Sequence, residues 1–185
     1  MARLDEVSDA STGARFTRSY VEDARCGVPY ITASDMLLAD LKGLLLLSRK
    51  KTPQLADLQI REGWTLISCS GTIGRTAFVR AEMDRLAGSH DIIRVIPRQE
   101  RIAPGYLFAF LTSRAGQSLI HQRTYGSVVQ HIEPHHIADI PVPLPSPAEQ
   151  QRIHNLVAGA AAARTEASRL LDEAGAYFEG LVGEM

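Results

Sequence analysis

Cysteine, long apolar runs and an excess of either charge are all lacking in this sequence, and each lack removes a class of protein. The two cysteines, Cys26 and Cys69, stand singly and far apart, so neither a CxxC metal knuckle nor a disulfide framework is indicated. Both read as small buried apolar residues. No run of about 18 uninterrupted apolar residues occurs, and the opening Met1-Ala2-Arg3-Leu4-Asp5-Glu6 lacks the apolar core of a signal peptide. A cytoplasmic chain with no membrane partner is expected. No segment repeats, and low complexity is confined to an Ala-rich tail.

What is present is ordinary globular composition, 45% hydrophobic and 22% charged over 185 residues. That length accommodates one well-buried core and an appendage. The net charge of -1 hides a split: residues 1–146 hold 17 of the 20 basic and 15 of the 21 acidic side chains, a net of +2, leaving 3 against 6 for the tail. An Arg-rich, mildly basic body permits contact with nucleic acid.

The clearest boundary is Pro141-Val142-Pro143-Leu144-Pro145-Ser146-Pro147, where alternating prolines forbid a helix and favour an extended connector. A helix is predicted directly after it. Ser146 suits the N-cap, Pro147 the first helical position, and Glu149 completes a capping box with Ser146. The pattern then runs without proline to about Leu181, roughly 50 Å of helix. Leu156, Ala160, Ala163, Ala167, Leu170, Ala174, Tyr177 and Leu181 follow an unbroken 4-3-4-3 spacing, widened by Ile153, Val157, Leu171 and Phe178. This is a coiled-coil seam, and its alanines admit a close neighbour. The other reading is a terminal helix folded back on its own body.

Before the connector the chain mixes α and β. Strands are predicted at 28–32, 43–47, 64–69, 76–80 and 91–96, which are apolar or β-branched runs bounded by turn residues. Helical spacing marks 106–112, with Leu107, Phe110 and Leu111 on one face, and 115–122, with Leu119 and Ile120 on another. The expected fold is α+β: a mixed α/β domain over 1–145 and a long coiled-coil helix over 146–185.

Four segments carry motifs. Gly63-Trp64-Thr65-Leu66-Ile67-Ser68-Cys69-Ser70-Gly71-Thr72-Ile73-Gly74-Arg75 is a strand entering a tight two-glycine turn. That turn reads as a plain hairpin, an anion-cradling nest or a DNA-facing loop; it lacks the Lys and the following helix of a Walker loop. Tyr106 to Leu111 is helical. Arg123-Thr124-Tyr125-Gly126-Ser127-Val128-Val129-Gln130-His131-Ile132 is a polar loop with an aromatic, and Ile137 to Pro145 leads to Glu149-Gln150-Gln151-Arg152-Ile153. With Gly27-Val28-Pro29-Tyr30-Ile31 at the start, this ordered set resembles the target-recognition domains of type I restriction-modification specificity (S) subunits, and it spans nearly the whole chain.

The resemblance implies a DNA-recognition subunit that reads one half of a split site and docks a methyltransferase (M) subunit, with a restriction (R) subunit in the larger complex. Family S subunits usually carry two recognition domains joined by two long helices, whereas one domain and one helix are present here. A half-length S subunit, a fragment, or the specificity protein of a fused type II restriction-methylation enzyme is expected. Pairing with a second copy or another half would bury the seam and space two recognition domains.

Candidate DNA contacts are Arg49, Lys50 and Lys51, the densest basic cluster, and Arg75 at the exit of the glycine turn. Arg123, Tyr125, Ser127, Gln130 and His131 of the polar loop add donors and acceptors for base edges and phosphates. Against each stands a plain structural role, a solvated loop for the basic cluster and core packing for Tyr125. Ser89, His90 and Arg98 flank a predicted strand and rank below these. His131, His135 and His136, with His121 and Glu133, resemble a metal set, but Pro134 breaks their spacing and no metal is expected.

No catalytic residue is expected. There is no N-P-P-Y or D-P-P-Y tetrapeptide of an amino-methyltransferase, no P-D followed by E-x-K, no GxSxG elbow and no HExxH helix. No cofactor is implied. A coiled-coil adaptor that does not bind DNA accounts for the helix but leaves the ordered loop motifs without a purpose.

Overall fold

A computed structural model describes residues 1–125 and 131–183. The strands are β1 (Ala2–Arg3), β2 (Ser8–Thr12), β3 (Tyr20–Val21), β4 (Gly27–Ile31), β5 (Leu46–Ser48), β6 (Thr65–Ser68), β7 (Thr76–Phe78), β8 (Ala87–Gly88), β9 (Ile92–Pro97) and β10 (Pro141–Val142). The helices are α1 (Leu4–Val7), α2 (Leu55–Leu58), α3 (Pro104–Thr112), α4 (Arg114–His121), α5 (Pro134–Ile137) and α6 (Pro147–Gly183). The five expected strands and three expected helices are all present, with β5 starting three residues later than its apolar run.

The central sheet has the order β2-β9-β6-β7, all antiparallel. Its middle strands are buried on both faces, and alternation sorts their side chains into two cores. Ile67, Ile93 and Val95 face α1, α3, α4 and α5, packing with Leu107, Leu111, Ile120 and Ile137. Leu66, Ala77 and Ile92 face the opposite way, against Ile31, Met36, Ile60 and Met83. A second sheet, β3-β5-β4-β8, covers that second side, with β8 parallel to β4.

Arg94 lies on the same face as Ile92 and is 3% exposed. Its guanidinium donates to the backbone carbonyls of Asp57 (2.6 Å) and Gly88 (3.1 Å). A cation from the central sheet is thereby tied to α2 and to the second sheet through main chain. Burial pushes its pKa down. Gly13 and Gly88 leave the room it needs, since a Cβ on Gly13 would lie 2.8 Å from Nη2.

Helix α6 begins as its sequence indicates. Ser146 Oγ and N–H both donate to Glu149 Oε2, and the Glu149 N–H donates back to Ser146 Oγ. Its first turns are seated on α3: the Gly105 N–H donates to His154 Nδ1 (3.0 Å), and the Ala103 N–H to Gln150 Oε1 (3.3 Å). Further along, Thr165 bonds Glu82, Arg164 donates to the Leu37 carbonyl, Ser168 to the Ala39 carbonyl, and Lys42 pairs with Asp172. The body-facing stripe is therefore Gln150, His154, Ala158, Ala161, Thr165 and Ser168. The eight seam residues are all exposed, with Leu156 at 70% and Tyr177 at 73%. At 3.6 residues per turn the two stripes lie about 150° apart. The helix both folds back on the body and leaves its seam open. Ile153 and Val157, expected to widen the seam, are half-buried instead.

One expectation fails outright: Cys26 is exposed in a turn, and only Cys69 is buried.

Two outcomes test this packing. A Cβ on Gly105 would lie 2.9 Å from the His154 Cα and 3.0 Å from its carbonyl oxygen, so Gly105→Ala must push α6 outwards. A loss of about 1–3 kcal/mol is expected, read as a fall in Tm of roughly 2–4 °C per kcal/mol; an unchanged Tm would show that α6 is not seated there. For the cysteines, burial pushes the Cys69 thiol up from its ordinary 9.0 to about 11. Iodoacetamide at neutral pH should label Cys26 alone in the native protein, as mass spectrometry reads. The native state keeps Cys69 protonated where the unfolded chain ionises it, so Cys69 lowers stability progressively as pH rises from about 9 to about 11.

Candidate nucleic-acid interface

The glycine turn is fixed from within. Ser68 Oγ donates to the Thr72 carbonyl (2.6 Å) and accepts from the Arg75 N–H (3.0 Å), while the Gly74 N–H donates to the Ser68 carbonyl (3.0 Å). Gly71 and Gly74 have φ of 70° and 82°, a region costly for other residues. Their surroundings differ. A Cβ on Gly74 would meet His121 and Gln117 of α4 at 3.2–3.3 Å, whereas nothing lies within 4 Å of one on Gly71. The turn thus has a base packed on α4 and an open tip, and Arg75 leaves it exposed.

Beside it rises the stem of the polar loop. Tyr125 and His131 exchange both backbone hydrogen bonds (3.0 and 2.9 Å), the Ile132 N–H donates to the Cys69 carbonyl (3.1 Å), and His131 bridges Ser70. The glycine turn and the Tyr125–His131 stem are therefore one unit joined through main chain. Tyr125 is exposed, with its ring edge-on to His131, tilted against His136, and its hydroxyl donating to Glu133 Oε1 (3.2 Å). Ser127 and Gln130 lie outside the described residues.

The next neighbour of the turn is His90. The Cys69 N–H donates to the Asp91 carbonyl (3.0 Å), and its thiol donates to the His90 carbonyl (3.7 Å). Arg18 reaches His90 from the link between β2 and β3, with Nη2 3.1 Å from Nδ1. One residue on, the Ser19 carbonyl accepts from the Ser48 N–H, and Ser48 precedes Arg49, Lys50 and Lys51, all exposed. The order across the surface is hairpin stem, glycine turn, His90, Arg18 and basic turn. Arg15 stands close enough to His90 and Cys69 to act on both electrostatically.

Not every sequence candidate joins this row. Arg123 is partly buried, donating through Nε to Asp139 (2.8 Å) and through Nη1 to the Leu119 carbonyl (3.0 Å), so its charge is matched. Arg98 pairs with Asp9 on the far edge strand, and Ser89 is buried. The histidines serve local packing: His136 Nδ1 accepts from the Glu133 N–H and stacks on His135, and among the described residues no group of three or more His, Cys, Asp or Glu is set to hold a metal. Arg15 and Arg18 were missed in the sequence. Their signal was Arg15-Phe16-Thr17-Arg18, two arginines around an aromatic, which has no apolar period to mark the β2 strand before it. No helix is long and apolar enough to cross a membrane among the described residues.

Comparison with solved structures finds the same fold at low identity. The S subunit of a type I restriction-modification system from M. genitalium matches with a TM-score of 0.53 and 13% identity, over 84% of this chain and 37% of that one. The HsdS subunit from Thermoanaerobacter tengcongensis gives 0.56 and 19%, over 90% and 38%. A chain from a structure of complex assembly and conformational transition in the type I R-M system gives 0.58 and 19%, over 97% and 42%. The chain thus spans 37 to 42% of the length of these solved chains. No curated protein sequence matches it. The family model described as the type I restriction modification DNA specificity domain covers residues 1–157, from β1 through the glycine turn and hairpin into the first turns of α6. With that much of its length under one model, the chain belongs to the type I restriction-modification DNA specificity domain family.

Proposed function

We propose that the chain is a non-catalytic reader of duplex DNA: residues 1–145 form a target-recognition domain that reads one half of a split site, and α6 pairs with a second copy or another half while docking a methyltransferase subunit. The observation that carries the reading is the row of anchored loops. Arg49, Lys50, Lys51 and Arg75 are exposed and, among the described residues, unpaired with any carboxylate, while Tyr125 and His131 pair with each other beside the glycine turn. Cations of this kind set register on phosphates, and the loop presents groups to base edges. Ser127 and Gln130 belong to the same loop.

The open seam supports the pairing. Leu156, Ala160, Ala163, Ala167, Leu170, Ala174, Tyr177 and Leu181 run along one side of a 37-residue helix, about 55 Å by its rise. Beside Leu156 and Ala160 a groove of about 400 Å³ is lined by Met36, Leu37, Phe78 and Phe108. A second helix laid on the seam covers that groove too. Two copies related by a twofold axis bring two reading faces to a fixed separation, and a stiff helix makes that separation reproducible.

Two experiments test these readings. DNA retention of the purified chain, with its cognate methyltransferase subunit, should fall steeply with salt at about 0.9 log units of affinity per log unit of salt for each neutralised phosphate. Replacing Arg49, Lys50 and Lys51 together by Ala should flatten that slope by roughly two to three on the same rule. No retention at low salt, even with the methyltransferase subunit, sinks the recognition reading in favour of an adaptor. For pairing, Leu156→Glu with Leu170→Glu should convert a dimer to a monomer in analytical ultracentrifugation with little change in Tm, because both side chains are mostly exposed. A wild-type monomer at micromolar concentration refutes self-pairing.

A further inference from the structure

We infer that Arg18 reads a guanine edge in the DNA face, held in position for that contact by His90 and Tyr30. The inference rests on the DNA-recognition reading and adds a base-contacting residue to it. Several exposed arginines are neutralised: Arg3, Arg25 and Arg169 pair with Asp5, Asp23 and Glu166. Arg18 is exposed and oriented, yet among the described residues it meets no carboxylate. Nη2 donates to His90 Nδ1 at 3.1 Å, and Cζ stands 5.5 Å from the centroid of the buried Tyr30 ring.

Both partners are neutral. For Nδ1 of His90 to accept, its proton must sit on Nε2, which points to Asp91 Oδ1 at 3.4 Å. Burial pushes the His90 pKa down; Asp91 opposes this, and Arg18, Arg15 and His131 reinforce it. The guanidinium is therefore oriented by an imidazole and a ring, with no carboxylate bonded to it among the described residues.

A phosphate is met by a mobile point charge such as a lysine ammonium as readily as by a fork. Reading O6 and N7 of guanine demands two N–H groups in one plane, and a fork already held there has less rotamer entropy left to lose. The location agrees with this. His90 is joined through Cys69 to Ser70 and the His131 stem, so Arg18 stands in the middle of the row of loops.

The test uses the chain with its methyltransferase subunit, the target site defined by a methylome, and a set of duplexes with each base pair changed singly. Arg18→Ala should weaken binding to the target roughly 10- to 100-fold, the range of one bidentate base contact, and erase the preference at one G·C pair while leaving the others. Arg18→Lys should behave like Ala at that pair, because it keeps the charge and loses the fork. His90→Ala should show part of the same loss and His90→Gln, which restores an acceptor, should recover it, with Tm as the control for folding. Equal weakening on every duplex, or full discrimination by Arg18→Lys, overturns base reading in favour of a phosphate contact. Unchanged preference in Arg18→Ala overturns any role for Arg18 while leaving the recognition reading intact. If the wild-type complex retains no DNA, the recognition reading fails and this inference fails with it.

Discussion

A single helix has two sides, and the body can cover only one of them. That constraint organises the molecule. The stripe from Gln150 to Ser168 is committed to the body by hydrogen bonds to α3 and to the segment around Leu37 and Ala39. The seam opposite is left with leucines, alanines and a tyrosine in water. Because the contacts of the first stripe extend to Asp172, most of α6 is braced instead of projecting freely. On the proposed pairing, a helix covering the seam would be placed rigidly with respect to the row of loops.

The second rigid element is Arg94. A buried guanidinium with no carboxylate bonded to it is an expensive group; its Nη1 and Nη2 meet the Asp57 and Gly88 carbonyls, while Nε is left without a partner among the described residues. It ties the central sheet to the second one near the place where Arg18 and Tyr30 stand: Gly13, against which Arg94 packs, begins the link that carries Arg15 and Arg18, and Tyr30 lies on β4 of the tied sheet. The row of loops thus spans both sheets, and its spacing depends on their being locked together.

Much of this was legible in the sequence, for identifiable reasons. Strands β6 and β9 are buried on both faces and show as β-branched or apolar runs, β9 being broken only by Arg94, and the capping box at Ser146 is a local signal that tertiary context did not override. What escaped was non-local or polar. Strand β2, Ser-Asp-Ala-Ser-Thr, carries no apolar alternation and is a strand only because β9 pairs with it along five residues. The body-facing stripe of α6 escaped because Gln150, His154 and Thr165 bond to the body as polar groups, leaving the apolar period on the opposite side. Cys26 reads as a buried apolar residue by type, yet its turn puts it in water. In the interface the same rule holds. The glycine turn and Tyr125 announce themselves by type, whereas Arg18 gains its significance from a histidine 72 positions away.

The division between main chain and side chain in the interface has a consequence of its own. The glycine turn is closed by backbone bonds and one serine hydroxyl, the hairpin stem by a reciprocal pair of backbone bonds, and the two are joined by the Ile132 N–H to the Cys69 carbonyl. The basic turn hangs on the Ser48 N–H to the Ser19 carbonyl and the Arg49 N–H to the Cys26 carbonyl. None of these bonds uses the side chains proposed to contact DNA. Replacing an exposed reader therefore leaves the framework in place and alters the contact alone. Arg18, like Tyr125, has its orientation set by side chains, in its case those of His90 and Tyr30. A change at either is felt in the geometry of that one contact, which makes this the point where the reading face and the core beneath it are coupled.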